Sequence, residues 1–270
     1  MRAIATVSLG GRLADKLEAV AAAGFGGVEL FEPDVREAEE SPRAIAELAA
    51  RLGLTIVALQ PWPDALGAPD FDTFALARLD GQLALMAELG TDRLLMCTST
   101  RKDALTDFAT NRAQLAAIAE RAHATGVRVG VEALSWGHLS DYRQVWPLIE
   151  AVDHPALGIV IDSFHILARG EPLDLLTSLP GERITLVQLA DAHPRAERGL
   201  LDWSRHGRCF PGEGTLLNEA FLAALQQTGY NGPWSLEIFS DDTSRRPVDE
   251  VARAGYRSLD NIDRGANNSG

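Results

Sequence analysis

The chain has 270 residues, 46% of them hydrophobic, and 25 Lys+Arg against 38 Asp+Glu give a formal net charge of −13. That apolar content supports a sizeable core and argues against disorder. The acidic balance argues against a nucleic-acid surface, which needs a basic footprint, and no apolar run approaches the roughly 18 residues of a membrane span.

The N-terminus, MRAIATVSLGGRLADK, breaks at Gly10-Gly11 after a short apolar stretch, which predicts a strand and turn rather than a signal peptide. With only two cysteines, Cys97 and Cys209, no disulfide framework is expected, and a reducing cytoplasm is the expected compartment. A first strand is predicted over residues 3–7, then a helix over 13–23 stopped by Gly24. The second strand, 27–30, precedes a helix over 42–52 that has Ser41 as N-cap, Pro42 at its first position and Gly53 as its stop. Strand 55–59 leads through a long loop, 60–73, to a helix over 74–89 ended by Gly90. Strands 93–97 and 128–132 flank a helix over 107–125 ended by Gly126. A helix over 141–152 precedes strand 158–162, and strand 184–188 opens a second long loop, 190–217. A helix over 218–228, stopped by Gly229, and a strand over 235–239 complete the series, and the tail 264–270, RGANNSG, is expected to be disordered. Eight short Val/Ile/Leu-rich strands with helical segments between them predict an α/β fold, a single-domain (β/α)8 TIM barrel over residues 1–263.

Active sites in that fold sit at the C-terminal ends of the strands. Here the ends of strands five to eight carry Glu132, Asp162, Gln188 and Glu237. One strand-end carboxylate is ordinarily a cap or a salt-bridge partner. Three carboxylates and an amide converging on one barrel mouth repel unless a cation or protons compensate them, which predicts a divalent metal on hard oxygen ligands, Mg²⁺ or Mn²⁺. His165, three residues after Asp162, can exchange protons at neutral pH and is a candidate acid–base group. The loop Trp203-Ser204-Arg205-His206-Gly207-Arg208 gathers basic residues within an acidic chain and is a candidate clamp for an anionic small molecule. Glu29 is a candidate acid–base group, substrate contact or anchor behind the ligands, with a structural hydrogen bond as good a reading; Gln60 is a candidate for the pocket wall, with a rigid proline turn as good a reading; and Trp136 is a further candidate for the wall. Cys97, at the end of strand four, reads as packing rather than as a nucleophile.

The stretches DYRQVWPLIEAVDHPALGIVIDSFHILARG, VQLADA, WSRHGRCFPGEG and GYNGPWSLEIFSDD, with GFGGVELFEPD and MAELGTDRLLMC nearer the N-terminus, resemble the xylose-isomerase-like TIM-barrel superfamily of sugar phosphate isomerases and epimerases. Within it they look like the bacterial metal-dependent 3-dehydroshikimate dehydratases. The resemblance implies a lyase that makes protocatechuate through a metal-stabilised enolate, with Mg²⁺, Mn²⁺ or Co²⁺ on Glu132, Asp162, Gln188 and Glu237. It implies His165 as acid–base group and puts Arg205 and Arg208 in the substrate-loop motif, where Ser204 and His206 are further candidates for the substrate. An isomerase or epimerase of a keto-sugar or cyclitol, using the same chemistry with Glu132 or Glu237 doubling as proton shuttle, is the alternative. A DNA-repair endonuclease would need a basic face and more than six histidines. The chain departs from the dehydratase pattern at Pro63, at Gly81 and at His138, each standing where the pattern leans basic, and Arg78 and Arg101 are candidates to replace the missing charge. Whether the protein forms a homo-oligomer is left open by the sequence.

Overall fold

The computed structural model describes residues 1–194 and 199–268. Seven parallel strands come first in chain order: β1 (Arg2–Ala5), β2 (Gly27–Phe31), β3 (Thr55–Trp62), β4 (Arg93–Cys97), β5 (Arg128–Glu132), β6 (Leu157–Asp162) and β7 (Ile184–Leu189). A two-stranded antiparallel ribbon of β8 (Asp191–Ala192) and β9 (Arg208–Cys209) follows. The last strand, β10 (Trp234–Leu236), closes the barrel between β7 and β1 in the order β1-β10-β7-β6-β5-β4-β3-β2. This is the eight-stranded parallel barrel expected from the strand–helix alternation.

Helices α1 (Leu13–Ala23), α2 (Glu32–Glu37), α3 (Pro42–Arg51), α4 (Leu76–Leu89), α5 (Phe108–His123) and α6 (Tyr142–Val152) alternate with the first six strands. Their ends follow local chemistry. Ser41 Oγ accepts from Ala44 N and Asp107 caps α5 through Thr110 N, while Gly24 at φ 101° and Gly90 at φ 71° turn the chain out of α1 and α4 in the left-handed region. Five helices escape the sequence pattern: α2, α7 (Ser163–Ala168), α8 (Asp174–Ser178), α9 (Leu200–His206) and α11 (Val248–Asn268), whereas α10 (Glu219–Gln227) follows it. Helix α11 runs through Asn268, into the tail expected over 264–270. The rest of the expected tail, 269–270, lies outside the described residues. No helix among the described residues is long and apolar enough to cross a membrane.

One large cluster fills the shell between strands and helices. A second, of Ala3, Val57, Ala58, Leu95, Val160 and Leu186, is separate from it. Ala58, Leu95, Val160 and Leu186 stand two residues before Gln60, Cys97, Asp162 and Gln188, and strand alternation puts each on the face of the polar residue that follows. An apolar layer therefore underlies the polar groups at the C-terminal ends, which keeps water from beneath them and strengthens every charge interaction above it.

Candidate active site

Glu132, Asp162, Gln188 and Glu237 are brought together at the C-terminal mouth, all at most 5% exposed. Glu132, Asp162 and Gln188 lie in β5, β6 and β7; Glu237 stands one residue past β10, shorter here than the strand expected over 235–239. There the chain is held by Glu237 N donating to Leu189 O at 3.2 Å and Ile238 N to Ser8 Oγ at 2.8 Å. Glu132, Asp162 and His165 each offer a ligand atom within 4.8 Å of the others, so the mouth contains a group able to hold a metal ion.

Arg208 dominates the electrostatics. Its guanidinium is 2% exposed, and one nitrogen, Nη1, lies 2.8 Å from both Asp162 Oδ2 and Glu237 Oε2. Nη2 donates to Ser204 Oγ at 2.8 Å, Nε to the Ser204 carbonyl at 3.1 Å, and the plane stacks over Phe164. Burial opposes the charge, yet the surrounding carboxylates hold Arg208 cationic and raise its pKa. Burial likewise opposes ionisation of Asp162, but Arg208, His165 and the Phe164 N–H together keep that carboxyl below the usual range. Glu237 is pushed up to about 7, first by burial and against the pull of Arg208. Glu132 is driven well above the carboxylate range by burial and then by Glu237 and Asp162. One guanidinium thus faces three carboxylates, leaving two negative charges when all are ionised.

The donor set fits a hard divalent cation. Gln188 Nε2 donates to Glu29 Oε1 at 2.8 Å and to Glu237 Oε1 at 3.1 Å, while Gln188 Oε1 is buried and finds no hydrogen-bond partner among the described residues. An orphaned carbonyl oxygen beside under-compensated carboxylates costs free energy that a bound cation would recover.

His165 is 4% exposed, its ring edge-on to Trp136 at 5.1 Å and to Phe164 at 5.7 Å. Nε2 faces Glu132 Oε1 at 3.4 Å and Arg208 Nη2 at 3.3 Å; Nδ1 faces Ser135 Oγ at 3.1 Å. Arginine can only donate, so its approach favours a lone pair on Nε2, with Nδ1–H donating to Ser135 Oγ. The Ser135 N–H, at 3.4 Å from Nδ1, is the longer and competing contact. Burial lowers His165 to about 4, so the ring is neutral near pH 7.

A cavity of about 280 Å³ opens over this layer, lined by Gln60, Trp136, His165, Ser204, Arg205, Arg208, Glu132 and Glu237 among the sequence candidates. Phe31, Phe239, Leu134, Asp64, Thr100 and Cys97 line it too, though sequence periodicity singles out only Cys97. Arg205 is exposed and makes no ion pair with the described residues. Two of the substrate candidates are elsewhere. Glu29 is fully buried below the cavity against Gln188, and His206 pairs with Asp241 at 2.9 Å because α9 turns it outward. Arg208 lines the cavity, but its charge is already engaged by Asp162 and Glu237, so it is not the free anion clamp expected of it. Nor do Arg78 and Arg101 supply charge to the wall: Arg78 lies over Phe74, and Arg101 pairs with Asp70 and Asp103. His138 faces the Ser99 carbonyl and Asn111 Oδ1. Sequence reasoning also misses Asp191, whose carboxylate accepts backbone N–H groups from Ala192, Gly212, Gly214, Leu216 and Leu217 and so shapes the loop that follows β9.

Comparison with known proteins agrees with this architecture. A 3-dehydroshikimate dehydratase of Pseudomonas putida KT2440 is 46% identical over 261 residues, 96% of this chain and 41% of that protein. Its counterpart in Pseudomonas aeruginosa PAO1 is 45% identical over the same shares. The chain thus spans about two-fifths of the length of these curated relatives. A solved xylose isomerase-like TIM barrel/4-hydroxyphenylpyruvate dioxygenase fusion protein superposes with a TM-score of 0.92 at 45% identity, over 96% of this chain and 42% of that one. The family model of the xylose isomerase-like TIM barrel matches residues 17–262, and the chain belongs to that family.

Proposed function

We propose that this chain is a metal-dependent lyase that dehydrates 3-dehydroshikimate to protocatechuate. The observation that carries the reading is one cavity that joins Glu132 and Glu237 of the buried oxygen-donor cluster to a neutral His165 and the exposed cation Arg205; the similarity to 3-dehydroshikimate dehydratases supports it. Glu132, Asp162, Gln188 and Glu237 would hold the ion, Mg²⁺, Mn²⁺ or Co²⁺, with His165 close enough to Glu132 and Asp162 to sense it. When bound, the ion supplies Lewis-acid stabilisation of negative charge developing on a substrate oxygen.

The residues account for the rest. Arg205 pairs with the ring carboxylate of the substrate, a charge-assisted contact. Trp136, Phe31 and Phe239 present apolar surface to the ring. His165 Nε2, unprotonated at neutral pH, takes the proton from the carbon next to the ketone, and Ser135 Oγ holds the ring by its other nitrogen. The imidazolium then returns that proton to the hydroxyl leaving from the next carbon, which departs as water. Loss of a second ring proton to solvent and protonation of the ketone oxygen complete the aromatic diol, so atoms and charge balance. Arg208 holds Asp162 and Glu237 in place throughout.

The test is direct. Protein stripped with EDTA and reconstituted with Mg²⁺, Mn²⁺ or Co²⁺ is mixed with 3-dehydroshikimate, and the ultraviolet absorbance of protocatechuate is followed. Activity should vanish on stripping and return on reconstitution. If the folded, metal-loaded protein makes no aromatic product, the lyase reading is wrong; if deuterium from solvent also enters a keto-sugar next to its carbonyl, the isomerase reading replaces it.

A further inference from the structure

Glu29 is a buried carboxyl whose role the cavity does not explain. It is 0% exposed and does not line the cavity, and burial, then the nearby Glu237, raises its pKa to about 8. A desolvated carboxyl at this depth is costly where an apolar side chain of similar size would pack. Its backbone is fixed from both sides, paired with Ala5 of β1 and with Ala58 of β3, next to a register shift in the β2–β3 ladder. Its carboxyl reaches across the barrel to Gln188 of β7 and accepts from Nε2 at 2.8 Å.

We propose that Glu29 is a positioning residue that sets the orientation of the Gln188 amide, occupying Nε2 so that Oε1 is left as the ligand atom. A glutamine amide is nearly symmetric in shape but opposite in chemistry at its two ends: oxygen accepts and can ligate a cation, whereas NH₂ only donates. With Nε2 against Glu29 Oε1 and Glu237 Oε1, a flip would withdraw both N–H donors from these oxygens and turn NH₂ instead of Oε1 toward the carboxylate cluster. Glu237 alone is the weaker director. Its Oε1 already accepts from Gln60 at 2.8 Å, its contact with Gln188 is longer at 3.1 Å, and it is itself a candidate ligand. Glu29 stands outside the donor set and accepts from Gln188 Nε2 at 2.8 Å, with the Ser235 hydroxyl as its other neighbour.

The inference rests on the metal-dependent reading of the site but not on the identity of the substrate. Its test therefore uses no substrate: Mn²⁺ is titrated calorimetrically into stripped wild type, Glu29→Leu and Glu29→Gln, each checked for its thermal unfolding midpoint without metal. Loss of a partner that orients a metal ligand ordinarily weakens metal affinity about 10- to 100-fold. Glu29→Leu should show that loss with a metal-free midpoint equal to or above wild type, because it removes a desolvated carboxyl. Glu29→Gln keeps an acceptor oxygen at the same place and should hold Mn²⁺ within about threefold of wild type. Two results overturn the proposal: Glu29→Leu binding Mn²⁺ like wild type, or Glu29→Gln losing as much as Glu29→Leu, which would assign the effect to negative charge rather than to amide orientation. If Glu29→Leu does not fold, Glu29→Met takes its place with the same expectation. Wild type that binds no Mn²⁺ removes both this inference and the metal-dependent reading, whereas wild type that binds Mn²⁺ but leaves 3-dehydroshikimate unchanged removes only the choice of substrate.

Discussion

Replacing Arg208 by Met keeps most of the side chain's volume and removes its charge. In the metal-free protein this leaves Asp162 and Glu237, 1% and 4% exposed as side chains, without the nitrogen now 2.8 Å from each. Breaking a buried ion pair from one side costs about 3–5 kcal/mol, because the remaining charges stay desolvated. The deficit should depend on pH in a definite direction. In wild type Asp162 is held below its ordinary value of 3.8, so its contribution is present above that value and is lost as pH falls through the folded one. In the variant the same carboxyl has no cation and its folded pKa rises above the unfolded one, so stability is fully present in acid and is lost as pH rises. The two trends diverge, and the deficit should grow from pH 5 to pH 7.5. Urea unfolding in the presence of a chelator measures it at both values. Mn²⁺ at a hundred times its dissociation constant should return about 2.7 kcal/mol to any variant that still binds it. A deficit under about 1 kcal/mol at pH 7.5, or one larger at pH 5, would refute the assignment of Arg208 as the site's internal counter-ion.

Three other outcomes are expected. Arg205→Ala should raise KM for 3-dehydroshikimate about tenfold or more with little change in kcat, since a hydrogen bond to a charged group contributes roughly 1.5–3 kcal/mol; equal KM values in steady-state assays would free Arg205 of the clamp role. His165→Ala should lower kcat by about a hundred-fold or more while Mn²⁺ still binds by calorimetry, and loss of the metal instead would make His165 a ligand. Glu171 is pushed up to about 8 by burial and then by the adjacent Asp141, so its contribution to stability is fully present below about 4.5 and is lost as pH rises through 8. Glu171→Gln should flatten the pH dependence of the unfolding midpoint across that window, and an unchanged slope would show that the carboxyl does not stay protonated.

The barrel is legible in the sequence because its signals are local. A Val/Ile/Leu run, a helix and a glycine in the left-handed region recur along the chain, and Gly24 and Gly90 terminate α1 and α4 where they are expected to. The elements missed are those whose signal serves another role or lies far along the chain. Helix α7 is capped by Asp162, a residue that the sequence marks only for the site, and α11 owes its place to packing along α1 at the far end of the chain. The strand-end polar residues are legible for the same local reason, since alternation fixes which face each one occupies.

What alternation cannot fix is direction once the chain leaves a strand. Arg205 and Arg208 lie three residues apart and have the same chemistry, and the loop alone gives them the same role. The structure separates them by placing Arg205 and His206 in the last turn of α9 and Arg208 at the start of β9. The turn between them at Gly207 packs so close to Trp203 that an added Cβ would stand 2.7 Å from its ring, so the chain drops inward within one residue. Arg208 is thereby carried down to the carboxylates, Arg205 stays at the cavity wall, and His206 is left facing Asp241. The wall formed by the β3 and β4 loops shows the complementary case. Arg101 is close in sequence to the cavity residue Thr100, but Asp70 and Asp103 draw it away, and Asp64 takes the place facing the cavity. The positive end of the cavity therefore lies on the α9 side, and an anionic group on a substrate is steered there rather than toward Pro63. On the proposed reading the non-basic residues at Pro63 and Gly81 do not disable recognition of a carboxylate, because Arg205 would perform it from the α9 side.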